Sequence, residues 1–294
     1  MKIKKIVITI PAYNEEKSIG LIIDSIKQAM HGSNYKYQIL VIDDGSIDKT
    51  KEIAEVAGAL VYSHPKNYGL AETFRTEMRK CIELKADIIV HTDADGQYPS
   101  RYIPELIKEI ENGYDLVLGS RFGKGKYSGA FGNKIGNILF AKIFSSLLKT
   151  KLSDTTTGFR AFNKEIAKLP ITNDFTYTQE QLIRAAKSKM KIKSISIDTN
   201  KTRKSRLFKN PFNYAIRAWI NIFKVYRDYA PIKFFGIIGS LFLAIGILLG
   251  VWVLINIITI GHAGGIPRVI LSALFIMTGI QIFLFGFLAD MIKK

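Results

Sequence analysis

Cysteine is nearly absent. Cys81 is the only one in 294 residues, so neither a disulfide framework nor a Cys-rich metal site can be built. The four histidines, His31, His64, His91 and His262, lack ligand spacing, which argues against zinc. Eight prolines against 48% hydrophobic residues exclude general disorder. Acidic side chains are in the minority, 25 against 42 Lys+Arg, giving a formal charge of +17. A long apolar run is also missing near the start. Ile6 to Ile10 covers five residues and runs straight into Pro11, Tyr13, Asn14 and Glu15, too short for a signal sequence, so the N-terminus is expected to stay in the cytosol.

The last quarter differs in kind. Phe234 to Ile260 is 27 residues without a charge, and Val269 to Ala289 is another 21. Each exceeds the roughly 20 residues needed to cross a hydrocarbon core. Two transmembrane helices are predicted, joined by a short glycine-rich connector, Gly261 to Arg268. Lys224, Arg227 and Lys233 precede the first span and Lys293 and Lys294 come after the second, which puts both ends in the cytosol. Residues 231 to 294 carry four Lys/Arg and one acid, or +3, leaving +14 on the rest. Beside two spans, such charge suits anionic lipid or a phosphate-bearing substrate, and no nucleic acid is expected. Between the two parts, Phe212, Ile216, Trp219, Ile220 and Phe223 share a helical face next to Lys209, Arg217, Lys224 and Arg227, the pattern of a helix lying in the membrane interface. The expected organisation is a cytosolic domain over 1–208, a juxtamembrane amphipathic helix over 209–231 and a two-helix hairpin over 232–294.

The cytosolic part alternates between strand and helix patterns. Ile6–Ile10, Gln38–Ile42, Leu60–Ser63 and Ile88–His91 read as strands, and Glu16–Met30, Thr50–Ala57 and Leu70–Leu84 as helices. This order predicts an α/β domain with a parallel sheet, whose ligands bind outside the carboxyl ends of the strands. Polar segments stand at those ends: Pro11-Ala12-Tyr13-Asn14-Glu15-Glu16 after the first strand, Asp43-Asp44-Gly45-Ser46 after the second and Asp93-Ala94-Asp95-Gly96-Gln97 after the one ending at His91. Two carboxylates one residue apart, with Gly96 permitting a sharp turn, can share a hard cation, Mg²⁺ or Mn²⁺, that keeps positions open for a diphosphate.

Together with Gly119-Ser120-Arg121 and Asp154-Thr155-Thr156-Thr157-Gly158-Phe159-Arg160, these segments resemble the family 2 glycosyltransferases. Within them, the sequence is most similar to the dolichyl-phosphate mannose synthase and undecaprenyl-phosphate glucosyltransferase group. The resemblance covers residues 5 to about 208 in order, and the two C-terminal spans fit its two-span members. It implies a GT-A (Rossmann-like) fold, a nucleotide-sugar donor, a divalent metal, a polyprenyl-phosphate acceptor and inversion at the anomeric carbon. Carried over by position, Pro11, Tyr13 and Glu15 resemble the segment holding base and ribose, and Asp43 the carboxylate contacting the nucleotide. Asp93 matches the residue by nucleotide and metal, and Asp95 and Gln97 the direct metal ligands. Arg121, Arg160 and Glu180 match positions lining the reaction centre. Arg203, Ser205 and Arg206 resemble a basic loop closing over the donor diphosphate. Two departures stand out: Asn67-Tyr68-Gly69 lacks the lysine that relatives carry there, and Gly132 to Gly136 offers only Lys134 where they place an arginine.

Arginine matches phosphate oxygens in bidentate fashion, and a site joining a diphosphate donor to a phosphate acceptor must neutralise at least three phosphates. A phosphate monoester is already anionic, so attack on C1 needs no general base, whereas an alcohol acceptor needs a carboxylate. Asp154 is the candidate for that base; its other use is to orient Arg160. Three readings are open: transfer to a polyprenyl phosphate, extension of a glycolipid or polysaccharide through a hydroxyl, and a non-catalytic nucleotide-sugar-binding membrane protein. The second lacks the Gln-x-x-Arg-Trp motif of processive synthases, since Arg217-Ala218-Trp219 does not fit it. Retention of Asp43, Asp93, Asp95 and Arg160 together argues against the third. Association of copies through the spans is left open.

Overall fold

The computed structural model describes residues 4–122, 152–172, 177–200, 230–263 and 265–292, together with positions 141, 145, 223, 224 and 227. Arg203, Ser205, Arg206, Lys134 and most of the expected juxtamembrane helix lie outside the described residues. The chain divides into two compact units, Met1–Leu207 and Phe208–Lys294.

Seven consecutive buried residues make β1 (Lys5–Ala12) a strand covered on both faces, as a central parallel strand must be. It pairs in parallel with β2 (Lys36–Asp43) on one side and β4 (Ile88–His91) on the other, and β3 (Leu60–Ser63) continues the sheet beyond β2. Helix α1 (Ile19–Met30) buries Ile19, Ile22, Ile23, Ile26 and Met30, the stripe expected from their spacing. It begins three residues later than the pattern suggests. The Glu15 carbonyl accepts from both Ser18 N (3.0 Å) and Ile19 N (2.9 Å), which turns residues 16 to 18 before the helix can start. Helices α2 (Thr50–Val56), α3 (Leu70–Glu83) and α4 (Ile103–Glu111) complete the crossovers.

The sheet is not parallel throughout. Its seven strands run in the order β3-β2-β1-β4-β6-β5-β7, where β5 is Leu116–Ser120, β6 Arg160–Asn163 and β7 Ile192–Ser196. Strand β6 is wedged between β4 and β5 and is antiparallel to both. This corrects the all-parallel expectation, and it shapes the site. Because β6 runs backwards, the segment that leads into it, Asp154 to Phe159, arrives at the carboxyl ends of β4 and β5. Two further helices, α5 (Lys164–Ala167) and α6 (Tyr177–Lys187), flank this region in sequence.

In the second unit, α7 (Pro231–Ile260) and α8 (Ile266–Ile292) are long and apolar enough to cross a membrane, with mean hydropathy 2.7 and 2.2. Only 11% and 17% of the most apolar stretch of each is buried within the protein, unlike the core helix of a soluble domain. The connector is shorter than the sequence suggests: α8 starts at Ile266, with Pro267 in its first turn, where a missing N–H costs nothing. Arg268 therefore belongs to the helix, and its guanidinium lies 4.7 Å from the ring centre of Trp252. Small residues recur every seven positions where the helices touch: Gly239 and Gly246 on one, Ser272, Gly279 and Gly286 on the other. Ser272 Oγ donates to the Gly246 carbonyl at 2.8 Å, a bond available only to backbones this close. A Cβ on Gly279 would meet Leu243 Cγ at 2.7 Å and the Gly239 carbonyl at 3.0 Å. Gly279→Leu is expected to destabilise the hairpin by about 1–3 kcal/mol, the usual cost of overpacking, measurable as earlier unfolding when SDS is titrated into mild detergent.

Candidate active site

The first two strand ends are knitted together. Register pairs Pro11 with Ile42 and Ala12 with Asp43, so the loops after β1 and β2 leave the sheet side by side. Asn14, in the left-handed region at φ 53°, donates its N–H to Ser46 Oγ (2.9 Å) and accepts from Ile47 N through Oδ1 (3.0 Å). Glu15 N donates to Thr50 Oγ1 at 2.7 Å, and Ser18 Oγ donates to the Glu15 carboxylate at 2.9 Å. Pro11 is buried and Tyr13 is exposed. Asp43 accepts from Ser46 N at 3.0 Å. Its neighbour Asp44 has a different task that the sequence did not reveal. Its carboxylate accepts from Tyr68 N (2.9 Å) and Gly69 N (2.8 Å) and lies 2.7 Å from His64 Nδ1, while His64 Nε2 reaches Thr76 Oγ1 at 3.0 Å. Asp44 thus clamps the 64–69 loop, the stretch in which the expected lysine is missing.

At the third strand end, Asp95 Oδ1 accepts from Gln97 N at 2.9 Å, a turn that Gly96 completes at φ 71°. Asn200 holds this turn from outside: its N–H donates to the Gln97 carbonyl and its side-chain amide to the Gly96 carbonyl, both at 3.0 Å. Burial pushes the Asp93 carboxyl up to about 6; His91 opposes the shift and Asp95 adds to it. Gly158 presses on that carboxyl so closely that a Cβ there would stand 2.9 Å from both oxygens. Here the antiparallel β6 makes its contribution, since its lead-in segment brings Gly158 against Asp93. Among the described residues no three His, Cys, Asp or Glu form a closed cation cage. Two carboxylates and an amide oxygen fit a hard divalent cation that keeps positions open for a second ligand, and a cation there would relieve the crowding of Asp93 and Asp95.

Arg121, just past β5, is bound by Asp154 in a fork: Nε to Oδ2 at 2.7 Å and Nη2 to Oδ1 at 3.1 Å. Nη2 also donates to Thr156 Oγ1 at 2.6 Å, and Asp154 takes the Thr156 N–H at 3.0 Å. Asp154 is wholly buried. It orients Arg121, not Arg160, which corrects the pairing expected from sequence. Arg160 is wholly buried too, yet it makes no ion pair among the described residues. Its guanidinium donates to the carbonyls of Thr178 (2.9 Å) and Thr157 and to Gln181 Oε1 (3.1 Å), and burial lowers its pKa. Carbonyl dipoles therefore replace the anionic partner that a buried arginine normally needs. Glu180, on α6, accepts from Arg184 Nη2 (2.6 Å), Arg184 Nε (2.9 Å), Thr172 N (2.9 Å) and Thr172 Oγ1 (2.8 Å). The structure thus shows it anchoring the 172 segment to the helix. A further pair, Glu77 and His91, lies behind Asp93. His91 was legible in principle, because alternate residues of a strand face the same way and His91 is two before Asp93.

A sequence profile described as glycosyl transferase family 2 matches residues 7–169, more than half of the chain. The chain belongs to this family. Its α/β domain is GT-A-like and its class is a glycosyltransferase. A dolichyl-phosphate hexose transferase of Haloferax volcanii is 35% identical over 178 residues, covering 59% of this chain and 73% of that protein. A dolichol-phosphate mannosyltransferase of Pyrococcus furiosus is 32% identical over 197 residues, 63% of this chain and 54% of its own. An undecaprenyl-phosphate 4-deoxy-4-formamido-L-arabinose transferase of Photorhabdus laumondii aligns with 100% of this glycosyltransferase and 90% of its own length at 26% identity. Among solved structures, glucosyl-3-phosphoglycerate synthase of Mycobacterium tuberculosis, in complex with Mn²⁺, UDP and phosphoglyceric acid, superposes with TM-score 0.59 at 20% identity. That match covers 76% of this chain and 78% of the other, and at such identity it speaks for the fold alone.

Proposed function

We propose that this family 2 glycosyltransferase moves a hexosyl group from a UDP- or GDP-linked sugar to a polyprenyl phosphate, with inversion, at the cytosolic membrane face. The observation that carries this reading is the fork between Asp154 and Arg121. Both Asp154 oxygens are engaged, so the carboxylate that a hydroxyl acceptor would need as a base is already occupied. An anionic acceptor needs none. Relatives named for dolichyl, dolichol and undecaprenyl phosphate support the same choice.

In this reading, Pro11, Tyr13, Glu15 and Asp43 hold the nucleoside, and Arg121, kept rigid by Asp154 and Thr156, sets its positive charge beside the phosphate oxygens. Arg203, Ser205 and Arg206 close over the diphosphate. Arg160 holds the Thr157 and Thr178 backbones in register beside the reaction centre, and Glu180 steadies α6 behind them. Asp93, Asp95 and Gln97 would hold Mg²⁺ or Mn²⁺, which supplies charge neutralisation of the departing diphosphate. Incubating the purified chain with UDP- and GDP-sugars and either short polyprenyl phosphates or free polyprenols tests the reading. A lipid-linked sugar made only from the phosphate is expected.

The same reading sets both termini in the cytosol and the α7–α8 connector outside. Cys81 is buried, so background labelling is low. A cysteine replacing His262 should react with an impermeant thiol reagent in intact cells, and one replacing Lys17 should not. The reverse pattern would deprive the site of cytosolic donor.

A further inference from the structure

Behind Asp93 lies a buried polar pair that nothing in the reaction scheme has used. Glu77, on α3, and His91, the last residue of β4, are both wholly buried. Glu77 Oε2 lies 2.7 Å from His91 Nδ1 and also takes the Thr9 hydroxyl at 3.2 Å. The imidazole is packed edge-on against Phe74, with ring centres 5.2 Å apart, and Tyr177 lies at 6.3 Å. Its cross-strand neighbour on β6 is Arg160. Two aromatic rings and a carboxylate fix the ring, and they leave one edge free: Nε2 is buried without a hydrogen-bond partner and stands 3.8 Å from Asp93 Oδ1.

A buried carboxylate and imidazole are costly in a helix–sheet contact whose other buried polar groups include neutral hydroxyls such as Thr9, and apolar residues of the same size would bury no charge there. Their arrangement has one outlet. With Nδ1 committed to Glu77, Nε2 is the only position the ring can offer, and Asp93 is the group it faces. From 3.8 Å, a shift of roughly 0.6 Å brings the two within hydrogen-bond distance. On another side Asp93 is stopped by the backbone of Gly158. We propose that Glu77 and His91 are positioning residues for Asp93: Glu77 holds the imidazole through Nδ1, and Nε2 holds the Asp93 carboxyl in the orientation that serves a divalent cation. This rests on the metal part of the proposed function and is independent of the acceptor. Outer partners of this kind typically change metal affinity 10- to 100-fold when removed.

The test uses the full chain in detergent and follows free Mn²⁺ by electron paramagnetic resonance during titration, with Mn²⁺ alone and with UDP or GDP present. Glu77→Gln and His91→Leu are expected to weaken Mn²⁺ binding about tenfold or more. The Mn²⁺ concentration for half-maximal transfer should rise in parallel, with the KM for lipid acceptor little changed. His91→Gln, which keeps a side chain able to bond Asp93, should recover part of the loss. Removing one member of a buried pair can unfold a protein, so the double variant Glu77→Leu/His91→Leu is measured beside the single ones. It should be as thermostable as the parent and still bind Mn²⁺ weakly. Parental Mn²⁺ affinity in the double variant, or in both single variants, would overturn the proposal. A parent chain that binds no Mn²⁺ overturns it together with the metal reading. Transfer to alcohols alone, with Mn²⁺ binding that still depends on His91, defeats only the acceptor reading.

Discussion

Asp95→Ala should lose about a thousandfold or more in kcat/KM while the protein stays folded and in the membrane. In the proposed reaction the size reflects what a divalent cation would contribute at a departing diphosphate, several kcal/mol, of which ~4 kcal/mol corresponds to a factor of about a thousand. The expected retention of the fold comes from the geometry. Asp95 is only partly buried, and its one bond within the turn, to Gln97 N, is local. The turn keeps its outer support from Asn200 through two backbone carbonyls that the substitution does not touch. Thermal unfolding of the variant should therefore change little. EDTA should silence the parent to the same degree and leave the residual rate of the variant unaltered. Undiminished turnover of Asp95→Ala in EDTA would remove the metal from the mechanism altogether.

The strands that carry these residues were legible because a strand buried on both faces is a continuous apolar run that stops where polar residues begin. Ile88–His91, buried throughout, coincides with the structure to the residue, as does Leu60–Ser63, a partly exposed strand at the sheet edge, and the polar segments behind β1, β2 and β4 do lie at one edge of the sheet. Strand β6 was illegible for the opposite reason. Arg160-Ala161-Phe162-Asn163 is four residues long, begins with a charge and belongs to a motif whose chemistry draws the eye away from its conformation. Missing it meant missing the direction in which Asp154 to Phe159 enters the site, and with it the partner of Asp154. Arg121 and Asp154 are 33 positions apart, and the sequence between them contains no local signal for that pairing. The adjacent carboxylates Asp43 and Asp44 are likewise indistinguishable in a run of Asp-Asp-Gly-Ser. Only the fold separates Asp43, which accepts from Ser46 N, from Asp44, which clamps the 64–69 loop. Glu77 sits on a helix face with Thr73, Phe74, Met78 and Cys81, where periodicity marks a position as buried but says nothing of what a carboxylate does there.

The pairing changes which substitution discriminates between acceptors. Arg160→Ala removes a wholly buried side chain bonded to Thr157, Thr178 and Gln181, so it would report on folding as much as on chemistry. Arg121 is the better probe, since it stands partly open to solvent at a strand end with its orientation set by Asp154. Arg121→Ala is expected to lower kcat with a polyprenyl phosphate by about 10²–10³-fold, the usual cost of deleting one preorganised donor to developing negative charge. Asp154→Asn keeps an oxygen for one of the two Arg121 bonds and should lose only about tenfold, with the pH dependence of kcat unchanged, because no proton passes through this residue when the nucleophile is already an anion. Asp154→Ala removes both bonds and should approach the Arg121→Ala value. A hydroxyl-directed enzyme would invert the order: Asp154→Asn would then be as damaging as Asp154→Ala and more so than Arg121→Ala, and a limb of the pH profile would vanish with it. Measuring the three variants against a polyprenyl phosphate and the corresponding free alcohol separates the cases, and transfer to the alcohol at a comparable rate would defeat the phosphate-acceptor reading.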